Sequence, residues 1–311
     1  MSQSMLDGLD GLGVAIIAPS GALPEPDALT RAASLLSDAG ARVTIDLQAR
    51  SVHQRFAGDD ASRLQTLYRY LDDPAIQIIL AARGGYGLTR LLPEIDFARI
   101  AQSGKRLLGH SDFNTLQLAL LARTGAASIV GPMACYDFGA EQPNSWTLEQ
   151  FIQALGGAEI QIEWQSEGAA VQGQWQGILW GGNLSVLTSL LGTPYFPAIT
   201  QGILFLEDVN EHPYRVERML LQLHQAGVLE SQRAIVLGDF SNYRLTEYDA
   251  GYDLPLAIQA VAQRCKTPLI TGLPFGHCPR KTSLPMGQRA TLQTGSGRAS
   301  LSFAGLNLLS A

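Results

Sequence analysis

A serine in a strand-to-helix turn is the residue of this chain best placed for nucleophilic chemistry. Ser111 lies in Gly-His-Ser-Asp-Phe (109–113), after a short apolar run and before a helical pattern. Such a turn exposes the hydroxyl at the C-terminal edge of a parallel sheet, but the serine still needs a base, a group that orients the base, and oxyanion donors. Phe113 replaces the second glycine of Gly-x-Ser-x-Gly, which weakens an assignment to the α/β-hydrolases. A helix N-cap is the alternative interpretation.

A glycine-rich turn, Arg-Gly-Gly-Tyr-Gly (83–87), directly follows an apolar segment. Glycines let backbone N–H groups approach a ligand closely, so the turn could cradle a phosphate or form an oxyanion hole. It matches neither the Walker spacing nor Gly-x-Gly-x-x-Gly. An ordinary tight turn remains the alternative.

Two carboxylates, Glu207 and Asp208, follow the apolar segment 203–206. If that segment is a strand, they lie at the edge where active sites of such sheets assemble, and Glu207 could orient a histidine. Solvated surface acids are the default alternative. A metal site or a glycosidase pair also uses carboxylates, but no His/Asp spacing supports a metal.

His277 is the histidine best placed to act as a base, because it follows a Gly-Leu-Pro-Phe-Gly loop after a predicted strand. An ordinary loop histidine is the alternative. Cys278 beside it is a poor candidate nucleophile, since no oxyanion donors are indicated nearby. His110 adjoins Ser111, but adjacent side chains of an extended strand point to opposite faces.

The elements that would position these residues form an α/β pattern. Apolar strands separated by helices of ten or more residues predict an N-terminal parallel-sheet domain with helices on both faces, and a smaller C-terminal domain that also contains a sheet. The change to Gly- and Gln-rich sequence places the expected boundary between domains 1–160 and 161–311. Strands are predicted at 14–18, 42–46, 76–81, 107–109, 127–130, 203–206, 234–237 and 268–271, with a terminal hairpin around Gly-Ser-Gly; helices are predicted at 26–39, 61–71, 113–123, 144–155, after 181–183, and at 215–225 and 254–264.

Composition narrows the class of protein. Of 311 residues, 46% are hydrophobic and 16% charged, which suits a large core, and the net charge of −6 without a Lys/Arg block gives no reason to expect nucleic acid. Three cysteines without a Cys-x-x-Cys motif fit a reducing compartment. The N-terminus is typical of a first strand, and no apolar stretch suits a membrane span. We therefore expect a cytoplasmic protein without membrane partners.

The serine turn and the glycine turn belong to a longer series of motifs with a definite order and spacing. The others are Ala-Pro-Ser-Gly (18–21), Leu-Leu-Pro-Glu-Ile-Asp (91–96), Gly-Pro-Met (131–133), Gly-Gly-Asn-Leu (181–184), Leu-Glu-Asp-Val-Asn-Glu (206–211) and Gly-His (276–277). With them, nearly the whole chain resembles the LD-carboxypeptidase family of serine peptidases, the muramoyltetrapeptide carboxypeptidases, which also includes microcin-immunity peptidases.

The resemblance implies a Ser–Glu–His triad at Ser111, Glu207 and His277, with backbone amides of Gly85 and Asp112 as oxyanion donors. It implies release of the terminal D-alanine from muropeptide tetrapeptides in cell-wall recycling, a homodimer, and no cofactor or metal. Arg83 could offset the carboxylate of the substrate or brace the glycine turn.

Three other functions remain open. One is a family peptidase that inactivates peptide-nucleotide antibiotics, although the short stretch between Glu207 and His277 favours cell-wall recycling. The others are a non-catalytic muropeptide-binding protein and a generic esterase.

Overall fold

The computed structural model describes residues 8–156, 159–166 and 172–304. Two sheets share the core of this part of the chain, and helices pack against them. The strands are β1 (Gly13–Ile17), β2 (Arg42–Ile45), β3 (Ile78–Ala81), β4 (Arg106–Gly109), β5 (Ser128–Val130), β6 (Glu159–Gln165), β7 (Gly173–Asn183), β8 (Ile203–Val209), β9 (Ala234–Ser241), β10 (Leu269–Ile270), β11 (Leu284–Met286), β12 (Arg289–Gly295) and β13 (Arg298–Ala304). The helices are α1 (Pro26–Asp38), α2 (Asp60–Asp72), α3 (Leu88–Leu91), α4 (Phe97–Gln102), α5 (Phe113–Thr124), α6 (Ser145–Gly156), α7 (Leu184–Leu190), α8 (Pro213–Gln225) and α9 (Leu254–Ala262), with a π-helical turn at Ala134–Phe138.

The first sheet has six strands in the order β11-β5-β4-β3-β1-β2. β1 to β5 are parallel, and β1, β3 and β5 are buried along their whole length because helices cover both faces. The helices are amphipathic: α1 begins with Pro26 and buries one stripe of side chains. The predicted parallel-sheet domain is confirmed.

The second sheet has seven strands in the order β10-β9-β8-β7-β12-β13-β6. β7 to β10 are parallel, whereas β7, β12, β13 and β6 pair antiparallel. The antiparallel half alternates buried and exposed side chains, as β6 shows most regularly. The terminal hairpin was predicted, and β12 and β13 form it.

The two sheets are joined through β11, which comes from the C-terminal half but pairs antiparallel with β5. Sequence patterns missed β6, β7, β11 and the short helices α3 and α4. β7 lies in the Gly- and Gln-rich segment, of which residues 167–171 fall outside the described chain. The proposed boundary at 160/161 falls inside β6. No helix in the described ranges combines the length and apolarity that a membrane crossing requires.

Candidate active site

The candidate residues lie where parallel strands end. Ser111 follows β4 by two residues, Glu207 lies near the carboxyl end of β8, and Asn183 is the last residue of β7. His277 lies in the loop between β10 and β11. Carboxyl ends of parallel strands meet at one sheet edge, which explains how residues far apart in sequence reach the same place.

Ser111 occupies a strained turn. Its φ of 61° is left-handed, a conformation that non-glycine residues rarely adopt. The next residue, Asp112, begins α5 without a side-chain capping bond, and no hydrogen bond among the described residues involves Ser111 Oγ. The N-cap interpretation of the serine therefore finds no support, and the turn leaves its hydroxyl available.

The glycine turn packs against this serine. A Cβ on Gly84 would lie 2.6 Å from both Cβ and Oγ of Ser111 and 3.1 Å from the Asp112 nitrogen. The turn is also tied to the start of α5, because Leu88 N donates to the Asp112 carboxylate at 3.1 Å. The turn that contains Gly85 and the Asp112 nitrogen thus both lie close to the serine, as backbone donors to an oxyanion must.

Glu207 and His277, separated by 70 residues in sequence, form a direct pair. His277 Nδ1 donates to Glu207 Oε2 at 2.8 Å, and the glutamate is 0% exposed. With Nδ1 engaged, Nε2 of the ring is the nitrogen left to accept a proton. In the described chain, His277 makes no hydrogen bond to Ser111; such bonds often tighten only when substrate binds.

A second acid and an amide support Glu207, and sequence reasoning assigned neither a role. Asn183 Nδ2 donates to Glu207 at 3.2 Å and to Asp208 at 3.1 Å, and Asp208 also accepts from Ser185 N at 2.9 Å. Asp208 is 2% exposed, so its default interpretation as a solvated acid is wrong. Burial and the charge of Glu207 raise the pKa of Asp208 to about 6. In the sequence, the position of Asp208 directly after Glu207 was the one signal that could have indicated its role.

His110 lies unexpectedly close to His277, with ring centroids 5.0 Å apart. The left-handed turn at Ser111 ends the extended geometry directly after His110. His110 is fully buried, and its Nδ1 lies 2.8 Å from the Gly131 carbonyl oxygen. Burial, reinforced by the positive charge of Lys281 and by the neighbouring His277 ring, lowers the pKa of His110 well below its usual value. A neutral ring therefore donates from Nδ1 and flanks His277.

The His277 loop is fixed by buried polar contacts. The Tyr136 hydroxyl donates to the His277 carbonyl at 3.2 Å. Below it, Lys281 Nζ lies 2.7 Å from Asp137 Oδ1, and the two side chains are 0% and 2% exposed. Separating the two charges would leave each one buried without a partner, which costs free energy. The ion pair therefore holds the segment that follows His277 in place.

The Cys278 thiol and a possible metal-binding group play no part in this candidate site. Burial raises the pKa of the Cys278 thiol to about 11, which disfavours the thiolate that a nucleophile needs. Among the described residues, His224, Glu230 and Cys265 bring possible metal-ligand atoms within 4.8 Å of one another. His224 lies in the last turn of α8. This helix connects the parallel strands β8 and β9, so it begins at the sheet edge that carries Glu207 and ends near the opposite edge. This group is therefore separate from the site.

Comparisons with known proteins agree with this architecture. Residues 14–131 match the LD-carboxypeptidase N-terminal domain, and residues 176–292 match the LD-carboxypeptidase C-terminal domain. A probable murein peptide carboxypeptidase of Bacillus subtilis is 33% identical, covering 90% of this chain and 88% of its own. The murein tetrapeptide carboxypeptidase of Pseudomonas aeruginosa is 32% identical, covering 90% and 92%.

Solved structures share the fold. The muramoyltetrapeptide carboxypeptidase of Oxalobacter formigenes has a TM-score of 0.89 and 43% identity, over 94% of this chain and 98% of its own. The microcin C7 self-immunity protein MccF has a TM-score of 0.86 at 21% identity, over 95% and 97%, a likeness of fold alone. Because both domains match and the relatives align over most of their length, this chain belongs to the LD-carboxypeptidase family.

Proposed function

We propose that this chain is a serine-type LD-carboxypeptidase that releases the terminal D-alanine from muropeptide tetrapeptides. The observation that carries the proposal is the buried Glu207–His277 pair at the same sheet edge as the strained Ser111 turn. The names of the two murein carboxypeptidase relatives support the substrate class. A cytoplasmic location, a homodimeric state and a role in cell-wall recycling belong to the same proposal.

In the proposed mechanism, Ser111 Oγ attacks the carbonyl carbon of the terminal peptide bond while His277 Nε2 takes its proton. The carbonyl oxygen becomes an oxyanion that accepts from the Gly85 and Asp112 amides. The C–N bond then breaks, and His277 returns the proton to the departing amine. Glu207 holds the productive tautomer and stabilises the imidazolium.

Water completes the cycle. It attacks the acyl-enzyme carbonyl as His277 accepts one of its protons, and the ester bond to Ser111 breaks. The proton returns to the serine oxygen, which leaves a tripeptide carboxylate and restores the resting enzyme.

Mass-spectrometric detection of D-alanine tests this function directly. The substrate is a diaminopimelate- or lysine-containing tetrapeptide, and Ser111→Ala is the matched variant. We expect release by the wild type only. If neither protein releases D-alanine but Ser111 of the wild type still reacts with a fluorophosphonate, the antibiotic-inactivating function is favoured. If the wild type neither releases D-alanine nor reacts with the fluorophosphonate, a binding role is favoured. Equal release by both would refute the serine mechanism, and faster hydrolysis of p-nitrophenyl esters than of peptide would favour an esterase.

A further inference from the structure

Arg83 places a cation directly behind the glycine turn. Its Nη1 donates to the Ala22 carbonyl at 2.5 Å, so the side chain does brace the turn. The rest of the guanidinium faces the proposed oxyanion donor: a Cβ on Gly85 would lie 3.3 Å from Arg83 Nη2. One nitrogen is therefore used in bracing, while Nε and Nη2 make no hydrogen bond within the described chain.

No carboxylate balances this charge in the described residues. Arg83 is half-buried and takes part in none of their ion pairs, whereas the buried cations Arg63 and Lys281 each face a carboxylate. A second cation, Arg55, lies exposed over the Tyr86 ring at 5.7 Å; burial and the charge of Arg55 both lower the pKa of Arg83. Burying a cation beside another cation is costly unless an anion binds there.

The location of this charge matches what an exopeptidase needs. The terminal carboxylate of a peptide is three bonds from the scissile carbonyl carbon, so its binding site must adjoin the oxyanion hole. Arg83 precedes Gly84, which packs against Ser111, and its guanidinium lies beside Gly85. A planar guanidinium also suits a carboxylate better than a point charge does.

We propose that Arg83, assisted by Arg55 at the rim, binds the terminal carboxylate of the substrate and restricts the enzyme to peptides with a free C-terminus. The inference rests on the proposed carboxypeptidase function and names the group that selects its substrate. Bracing and recognition use different nitrogens of the same side chain.

A comparison of two substrates tests this role: the tetrapeptide with a free terminal carboxylate and the same peptide with a C-terminal amide. Arg83→Gln removes the charge; its amide is a donor but ends two bonds short of Nη1, so the bond to the Ala22 carbonyl is weakened for both substrates alike. We expect kcat/KM for the free acid to fall about 10- to 100-fold while kcat/KM for the amide changes little, because only the acid loses a charge-assisted bond. Arg83→Lys should recover part of the preference for the acid. Arg123→Gln, an exposed arginine at the far end of α5, is the matched control and should keep both values.

The outcomes separate the two proposals. An equal fall for acid and amide in Arg83→Gln would mean that Arg83 only braces the turn, and the inference would be wrong. If Arg83→Gln fails to fold, Arg55→Gln must lower the acid-to-amide ratio at least several-fold; an unchanged ratio also overturns the inference. A folded wild type that releases neither D-alanine from the acid nor D-alaninamide from the amide refutes the carboxypeptidase function itself, and the inference with it.

Discussion

Gly84→Ala is a one-atom perturbation aimed at the nucleophile. The added Cβ would lie 2.6 Å from Ser111 Cβ and Oγ, whereas real Cβ contacts essentially never fall below 3.0 Å. Gly84 is not among the positive-φ residues, so alanine meets no backbone penalty and the clash falls on the serine. The serine and turn must separate by at least 0.4 Å (3.0 − 2.6) and by 0.8 Å to reach an ordinary 3.4 Å contact. A displacement approaching 1 Å at a reacting group costs about 100-fold in rate.

We therefore expect kcat/KM for D-alanine release to fall about 100-fold in Gly84→Ala, with a stability loss of about 1–3 kcal/mol from overpacking. Fluorophosphonate labelling of Ser111 should slow in parallel, because it needs the same position of the hydroxyl. Gly295→Ala is the matched control, since a Cβ there meets only one atom, at 4.0 Å, and should leave activity unchanged. A folded Gly84→Ala enzyme with wild-type kcat/KM would refute the proposed packing of turn and nucleophile.

Two further substitutions test the acids of the site. In Glu207→Gln, the amide oxygen should face Asn183 and the amide NH₂ should face His277 Nδ1, which forces the imidazole proton onto Nε2. Because Nε2 can then no longer accept the serine proton, kcat should fall about 10³- to 10⁴-fold. A fall of less than tenfold in a steady-state assay would contradict the role assigned to Glu207. Asp208→Asn removes a carboxyl group whose pKa is about 6 in the folded protein, against an ordinary value of 3.8. Between these pH values the folded wild type binds more protons than the unfolded chain. The wild type therefore loses stability as the pH rises. The stability of wild type relative to Asp208→Asn should thus fall by about 2 kcal/mol from pH 4 to 7 in denaturant titrations; a constant difference would contradict the raised pKa.

The sequence was most informative where local patterns act alone. Apolar runs such as those of β1, β3 and β8, separated by helical patterns, are typical of a buried parallel sheet, and α1 and α8 carry clear amphipathic stripes. β7 was missed because its glycines and glutamines lack that pattern, and its pairing with β12 supplies the stability instead.

The site depends on contacts that no local pattern encodes. Spacing alone could not pair Glu207 with His277 across 70 residues, so the prediction relied on family resemblance. Asp208 was interpreted as a solvated acid, but it is buried beside a β-bulge between Leu206 and Asp208, and Ser111 lies in a left-handed turn. Both irregularities occur next to candidate catalytic residues, where strained backbone is common.

The most direct test of Ser111 as the nucleophile is to identify the residue that a fluorophosphonate modifies while it inactivates the enzyme. We expect one adduct per chain, on the peptide that contains Ser111, formed in step with loss of D-alanine release and slowed strongly in His277→Ala. Inactivation with the adduct on another residue, or unchanged D-alanine release once Ser111 is fully modified, would contradict the assignment of Ser111 as the nucleophile.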